Sequence, residues 1–131
     1  MERVLNKCWM VIGLKDYNVE CFKFAAKWDM IVNEKDEKFK LSTFSWNDND
    51  VFGCGLVYPP TNKITEEFPY IFFTQNGKQI GKALLLKDNS DCYQPYVVLK
   101  CCSVETNFGN NLETNPFIYD ISKHFILKEF Y

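Results

Sequence analysis

Alternating and continuous runs of apolar residues, separated by short polar segments, predict β-strands along most of the chain. The clearest signal is Asn76-Gly77, which lies between two β-prone runs, 70–75 and 78–83. Asn-Gly readily adopts the two positive φ values of a type I′ turn, whose twist matches that of paired strands. Counting outward from this turn predicts a hairpin with three cross-strand pairs: Gln75 with Lys78, Phe73 with Ile80, and Phe72 with Gly81.

The segment 50–58 predicts a second strand whose two faces differ in character. Strand side chains alternate, so one face carries Val51, Gly53, Gly55 and Val57, and the other carries Phe52, Cys54, Leu56 and Tyr58. Glycine within a strand marks a close approach of other groups, so we expect the glycine face to accommodate bulky side chains from a facing sheet. Both faces are expected to be buried.

Further strands are predicted on both sides of this region. Apolar runs predict a strand at 7–14 that ends at Gly13, two strands at 29–32 and 39–44 around the charged loop 33–38, and a buried strand at 96–99. Alternation at 104, 106 and 108 predicts a half-exposed strand that ends at Gly109. Three prolines make 59–69 a loop. These elements predict an all-β, antiparallel fold.

Composition indicates one folded domain, 1–131, without a nucleic-acid partner. The chain has 131 residues, of which 47% are hydrophobic and 17% aromatic, enough for one core and too few for two domains. The net charge of −2 provides no broad basic field for a phosphate backbone. No apolar run reaches the roughly 18 residues that a membrane span needs, so no membrane association is expected.

The cysteines and the single histidine do not suggest a metal site or a catalytic centre. The six cysteines contain no C-x-x-C spacing, which leaves a zinc site unsupported. We expect reduced, buried thiols and an intracellular location, cytoplasmic or nuclear. His124 is expected to be structural, because no serine, cysteine or carboxylate pattern recurs around it. No cofactor and no enzymatic activity are predicted.

Five segments, in this order, resemble the second half of a SPRY (B30.2) domain of the Ran-binding-protein-M type. They read DVFGCGL, IFFTQNGKQIGKA, YVVL, VETNFG and PFIYDI, and the likeness is strongest over 50–121. The resemblance implies a bent, concanavalin-like antiparallel β-sandwich that binds a peptide segment of a partner protein through loops at one end. Ile12-Gly13-Leu14 matches a strand-closing turn of the family. The strands that precede this turn in the family are not found here, which predicts a domain truncated at its N-terminus, with a sheet edge left for another segment or for self-association.

The resemblance also implies where a partner would bind. In the family, the loop after the Ile-Gly-Leu turn and the join near Lys100 contribute to the partner-binding rim. The candidate binding residues are therefore Lys15, Asp16, Tyr17, Asn18, Phe22, Trp28 and Lys100. Phe22 and Trp28 are possible apolar anchors, and the alternative is that both fill the core.

Three functions remain open at this level. The first is an interaction module, acting as an adaptor or as a scaffold component of a ubiquitin ligase. The others are a truncated SPRY paralogue without independent activity and a lectin-like, carbohydrate-binding sandwich. The C-terminal segment 122–131 is too apolar to stay in water, so we expect it to pack on the sandwich or on a partner, with Ser122 capping a short helix.

Overall fold

Eight strands form two antiparallel sheets in the described part of the protein. The structure, a computed structural model, describes residues 9–16, 21–42, 45–47, 49–58, 68–86, 93–100, 105–109, 111–127 and 129–131, without the side chains of Trp9, Lys27 and Lys100. The strands are β1 (Trp9–Lys15), β2 (Cys21–Ala25), β3 (Met30–Val32), β4 (Lys38–Lys40), β5 (Phe52–Val57), β6 (Tyr70–Gln75), β7 (Lys78–Leu85) and β8 (Gln94–Lys100). The predicted all-β sandwich is confirmed.

The two sheets differ in the sequence separation between their paired strands. The larger sheet has the order β4-β3-β2-β1-β8, so β1 pairs with a neighbour in sequence on one side and with distant β8 on the other. The smaller sheet, β5-β6-β7, is a simple meander of consecutive strands. Two short 3₁₀ turns, Ala26–Trp28 and Ile121–Lys123, complete the regular structure of the described residues.

The core lies between the two sheets. Its buried members come from both of them and include Phe22, Phe24 and Ile31 on one side and Ile71, Phe73 and Leu84 on the other. The rings of Phe24 and Phe73 meet across the interface with centroids 6.1 Å apart. Burying a side chain of this size stabilises the fold by about 1.5 to 3 kcal/mol.

The predicted hairpin is confirmed at its turn and in its first pairs. Asn76 and Gly77 both have positive φ, 51° and 82°, as a type I′ turn requires. Gln75 pairs with Lys78, and Phe73 pairs with Ile80. The predicted pair of Phe72 with Gly81 is wrong, because the register shifts between Ile71 and Phe73.

The alternation predicted for β5 is confirmed, but the source of the bulky groups over its glycines is different. Phe52, Cys54 and Leu56 pack on the core between the sheets. The glycine face is filled by the neighbouring strand, since Phe72 lies over Gly55 and Thr74 over Gly53. No facing sheet among the described residues covers this side, and the C-terminal segment packs there instead.

Gly13 does not end β1, contrary to the prediction. The strand continues to Lys15, and Gly13 pairs with Lys23 in its middle. A side chain at Gly13 would collide with the backbone of Phe22, so this glycine permits the close approach of β2.

Two other predicted strands also need correction. No strand forms at 105–109, where Asn107 turns the chain by accepting a hydrogen bond from the amide of Gly109 at 3.0 Å. β8 is an edge strand rather than a buried one, and its residues Val97 and Leu99 are exposed. Most of the predicted loop 59–69 lies outside the described residues, as do Ser103 and Val104.

Candidate functional site

The structure does not gather the predicted rim residues at one end of the sandwich. β1 pairs along its whole length with β8, so that Lys15 lies opposite Gln94 and Trp9 lies opposite Lys100. Lys15 and Lys100 therefore sit at opposite ends of the same strand pair, separated by about 20 Å at about 3.3 Å per strand residue. Asp16 follows Lys15 at its end. Tyr17 and Asn18 lie outside the described residues.

The two candidate anchors also separate. Phe22 is buried in the core, where its ring packs edge-on against Tyr93 at 6.2 Å, so its side chain is not available to a partner in this structure. Trp28 is 46% exposed. Its 3₁₀ turn follows Ala25, which pairs with Val11, and so Trp28 lies toward the Lys100 end of β1. The predicted set thus divides between two ends of the larger sheet: Lys15 and Asp16 lie at one, and Trp28 and the backbone of Lys100 lie at the other.

The site predicted from the sequence does not include a set of exposed apolar side chains between Phe108 and Phe125. We define it as the tail patch, whose members are all about half exposed or more: Phe108, Leu112, Phe117, Ile118, Ile121 and Phe125. Phe125 is the most exposed of these residues, at 88%. The signal was present in the sequence as an apolar C-terminal segment that had to meet either the sandwich or a partner.

Contacts with glycines hold two parts of the tail patch in place. Gly109 has a positive φ of 82°, and the side chains of Phe117 and Leu112 pack close to it. Gly77, at the tip of the β6–β7 hairpin, lies against Ile118. The patch thus extends from the turn at Gly109 to the hairpin tip.

A second set of side chains in the same segment points inward. Tyr119, Leu127 and Phe130 pack with Tyr70 and Phe72 on the outer face of the smaller sheet. Phe130 forms an isolated parallel bridge with Ala83 of β7. The amide of Tyr131 donates to the carbonyl of Ala83 at 3.0 Å. The expectation that this segment packs on the sandwich is confirmed for its inward-facing residues.

His124 is the centre of this docked segment. Its ring stacks on Phe72 with centroids 4.8 Å apart and an interplanar angle of 17°. Nε2 lies 2.6 Å from the hydroxyl of Tyr70, and Nδ1 is hydrogen-bonded to the hydroxyl of Tyr119. The hydroxyl of Tyr70 also accepts the amide of Leu127 at 3.2 Å. Nε2 thus attaches the segment to the sheet through Tyr70, and Nδ1 fixes the ring to Tyr119 within the segment itself.

Burial governs the electrostatics of this region. It lowers the pKa of His124, because the charged imidazolium is poorly solvated there. It raises the pKa of Tyr119, and the nearby Tyr70 and Asp120 add to that shift. On the other face of β5, burial raises the pKa of Cys54 to about 12, which keeps this thiol protonated and unreactive at neutral pH.

The 3₁₀ turn before His124 is capped by a different residue from the one predicted. Asp120, not Ser122, is the N-cap, and its carboxylate accepts the amide of Ser122 at 3.0 Å. These hydrogen bonds from Ser122 lower the pKa of Asp120. The turn orients the chain so that His124 points toward the sheet.

The described residues contain no grouping of three His, Cys, Asp or Glu side chains that could hold a metal ion. Across the same part of the chain, no helix has the length and apolarity needed to cross a bilayer.

Comparison with known proteins adds no family to this description. No protein-family model matches the chain, and no solved structure matches it.

Proposed function

We propose that this protein is a non-catalytic interaction module of SPRY type that binds an apolar peptide segment of a partner protein. Two features support a SPRY-type module. One is the order of its five sequence segments, and the other is the antiparallel sandwich, whose β5–β7 meander contains the first two of them. The resemblance further suggests a role as an adaptor or as a scaffold component of a ubiquitin ligase. The partner is intracellular in this proposal.

The tail patch is the observation that carries the proposal. Contiguous apolar surface on a soluble protein marks an interaction site more often than chance exposure does. Here Ile121 and Phe125 belong to a segment whose inward face is docked on the sheet, while Phe117 and Ile118 pack against Gly109 and Gly77. These side chains are therefore held in place before a partner arrives. Such preorganisation reduces the ordering cost of binding. Phenylalanine, as at Phe117 and Phe125, is enriched in interfaces relative to the rest of a protein surface.

The predicted rim offers less apolar surface. At the Lys100 end, Trp28 is an exposed aromatic on the turn between β2 and β3. At the other end, Lys15 and Asp16 provide only polar groups among the described residues. We therefore place the main binding surface on the tail patch and regard Trp28 as a second, separate contact region.

Selection from a random peptide display library tests this proposal directly. We expect wild-type protein to enrich peptides with apolar anchor residues. The double variant Ile121→Ser and Phe125→Ser should lose those peptides, because both side chains are more than half exposed and their removal disturbs no core packing. Thermal melts and circular dichroism establish that the variant stays folded.

Matched variants at the other surfaces locate the site. Trp28→Ala and Lys15→Glu should keep the enriched peptides. Loss of binding in Trp28→Ala with retention in the tail-patch variant would move the site to the Lys100 end. Failure of the folded wild-type protein to enrich any peptide would overturn the proposed function and favour a module without independent binding activity.

A further inference from the structure

His124, the only histidine in the chain, is fixed in one protonation state by its partners. The hydroxyl of Tyr70 already accepts the amide of Leu127, and Tyr70 is fully buried. Its own hydrogen therefore needs an acceptor, and the nitrogen within reach is Nε2 of His124 at 2.6 Å. Nε2 must then carry a lone pair, and Nδ1 carries the proton and donates to Tyr119. The docked form of the segment requires a neutral imidazole.

A second proton on the ring cannot be accommodated in this geometry. It would turn Nε2 into a donor, so the hydroxyl oxygen of Tyr70 would face two N–H groups. The hydroxyl hydrogen of Tyr70, which is buried away from water, would then have no acceptor. An unsatisfied buried donor is costly. The ring could regain solvation and leave Tyr70 satisfied only by moving away from the sheet, which also breaks the hydrogen bond from Leu127 to Tyr70.

Among the described residues, no charged group shifts the pKa of His124, which burial alone lowers. From β6, the titratable group facing the ring is Tyr70, and from the C-terminal segment it is Tyr119. Asp120 and Lys123 are exposed and lie 3.9 Å apart, so each already compensates the other. The remaining neighbours from β5, β7 and the chain end are apolar: Val57, Ala83, Leu85, Leu127 and Phe130.

We propose that His124 is a pH-dependent latch, and that protonation of its ring releases residues 119–127 from the outer face of the β5–β7 sheet. The two ends of this segment stay attached, because neither attachment contains a titratable imidazole or carboxylate. Ile118 remains against Gly77, and Tyr131 remains hydrogen-bonded to Ala83 with its ring stacked on Phe39 at 4.3 Å. The segment opens as a loop and uncovers Tyr70 and Phe72. No partner is needed for this step, so the test of the latch does not depend on the proposed binding function, although Ile121 and Phe125 of the tail patch lie in the released segment.

The sign of the pH dependence follows from the lowered pKa of His124. The docked state excludes the second proton, whereas the open state accepts it at the ordinary histidine pKa of about 6.5. Docking is therefore complete above that value. It weakens as the pH falls from there toward the lower pKa of the docked ring.

NMR titration combined with amide hydrogen exchange tests the latch on the full chain. Because there is a single histidine, its C2 proton gives one imidazole signal to follow. We expect it to titrate below the value of a free imidazole. Over the same pH range, the amide of Leu127 should lose at least tenfold in protection after correction for intrinsic exchange. The amides of Asn76, which donates to Val51, and Tyr131 should stay protected as reporters of the sheet and the chain end.

Two variants without a titratable ring serve as controls. His124→Phe keeps the stacking on Phe72, and His124→Gln keeps a neutral hydrogen-bonding group. In whichever of them folds, protection of Leu127 should no longer depend on pH. The proposal is overturned if Leu127 stays protected while His124 titrates, if both variants lose protection as the wild type does, or if Asn76 and Leu127 lose protection together.

Discussion

Gly55 provides the sharpest test of how the C-terminal segment is docked. A methyl group at this position would come closer than 3.0 Å to two carbons of the Phe72 ring, Cε1 and Cζ. The ring has no free space, because it is 1% exposed, stacked on His124 at 4.8 Å and in edge contact with Tyr119 at 5.3 Å. Gly55→Ala should therefore push Phe72 outward against the docked segment.

The expected magnitude follows from two opposing effects. Overpacking in a filled site costs about 1 to 3 kcal/mol. The backbone of Gly55 does not have a positive φ, so replacing it by alanine also restricts the unfolded chain and returns about 0.4 to 1 kcal/mol. The net loss is about 1 to 2 kcal/mol, which corresponds to a fall in Tm of roughly 3 to 10 °C for a domain of this size.

Gly53→Ala is the matched control on the same strand and face. Its methyl group would lie 2.5 Å from Oγ1 of Thr74, a single side-chain atom that can leave by rotation about χ1. We expect a change within about 1 kcal/mol of wild type, because the gain from the restricted unfolded chain offsets the rearrangement. Urea and thermal unfolding of both variants measure the difference. Equal stability of the two variants would refute the reasoning, since it rests on the ring behind Gly55.

Two further predictions concern other parts of the sandwich. Burial raises the pKa of Cys54 to about 12, so this thiol should resist alkylation by iodoacetamide at pH 8 in the folded protein and react fully in denaturant. Mass spectrometry records both reactions, and rapid labelling of the folded form would contradict the burial of the thiol. Gly77→Ala should destabilise the hairpin by about 1 to 2 kcal/mol, because Gly77 has a φ of 82° and the added methyl group would collide with the side chain of Ile118. Denaturant unfolding beside Lys78→Ala, an exposed neighbour in the same hairpin, checks this value, and equal midpoints would contradict it.

Local features of the sandwich were predictable from sequence, and long-range pairings were not. Asn76-Gly77 encodes its own turn through the positive φ values of two residues, and the alternation in β5 follows from side-chain direction alone. The register shift occurs beside Gly81, around which Ile31, Leu41 and Tyr131 pack from remote parts of the chain. No spacing within β7 carries this information.

The candidate site shows the same limit. The separation of Lys15 from Lys100 is set by the antiparallel pairing of β1 with β8, a contact between segments far apart in sequence. The sequence indicated that the apolar C-terminal segment would pack against another surface. It did not indicate that the segment would have an inward face around His124 and an outward face in the tail patch. That division depends on the positions of Tyr70 and Phe72 on the sheet beneath.

The position of β1 between β2 and β8 has a consequence for synthesis on the ribosome. β1 can pair with β2 as soon as Ala25 has emerged, but its other edge has no partner until the chain has been made through Lys100. During that interval the nascent hairpin exposes an apolar strand edge that can pair with other chains. The β5–β7 meander forms from consecutive residues and can fold in the meantime. Docking of β8 is then the step that covers this strand edge and ends the risk of aggregation. Slow translation before the codon for Gln94 should therefore lower the soluble yield more than slow translation after the codon for Lys100.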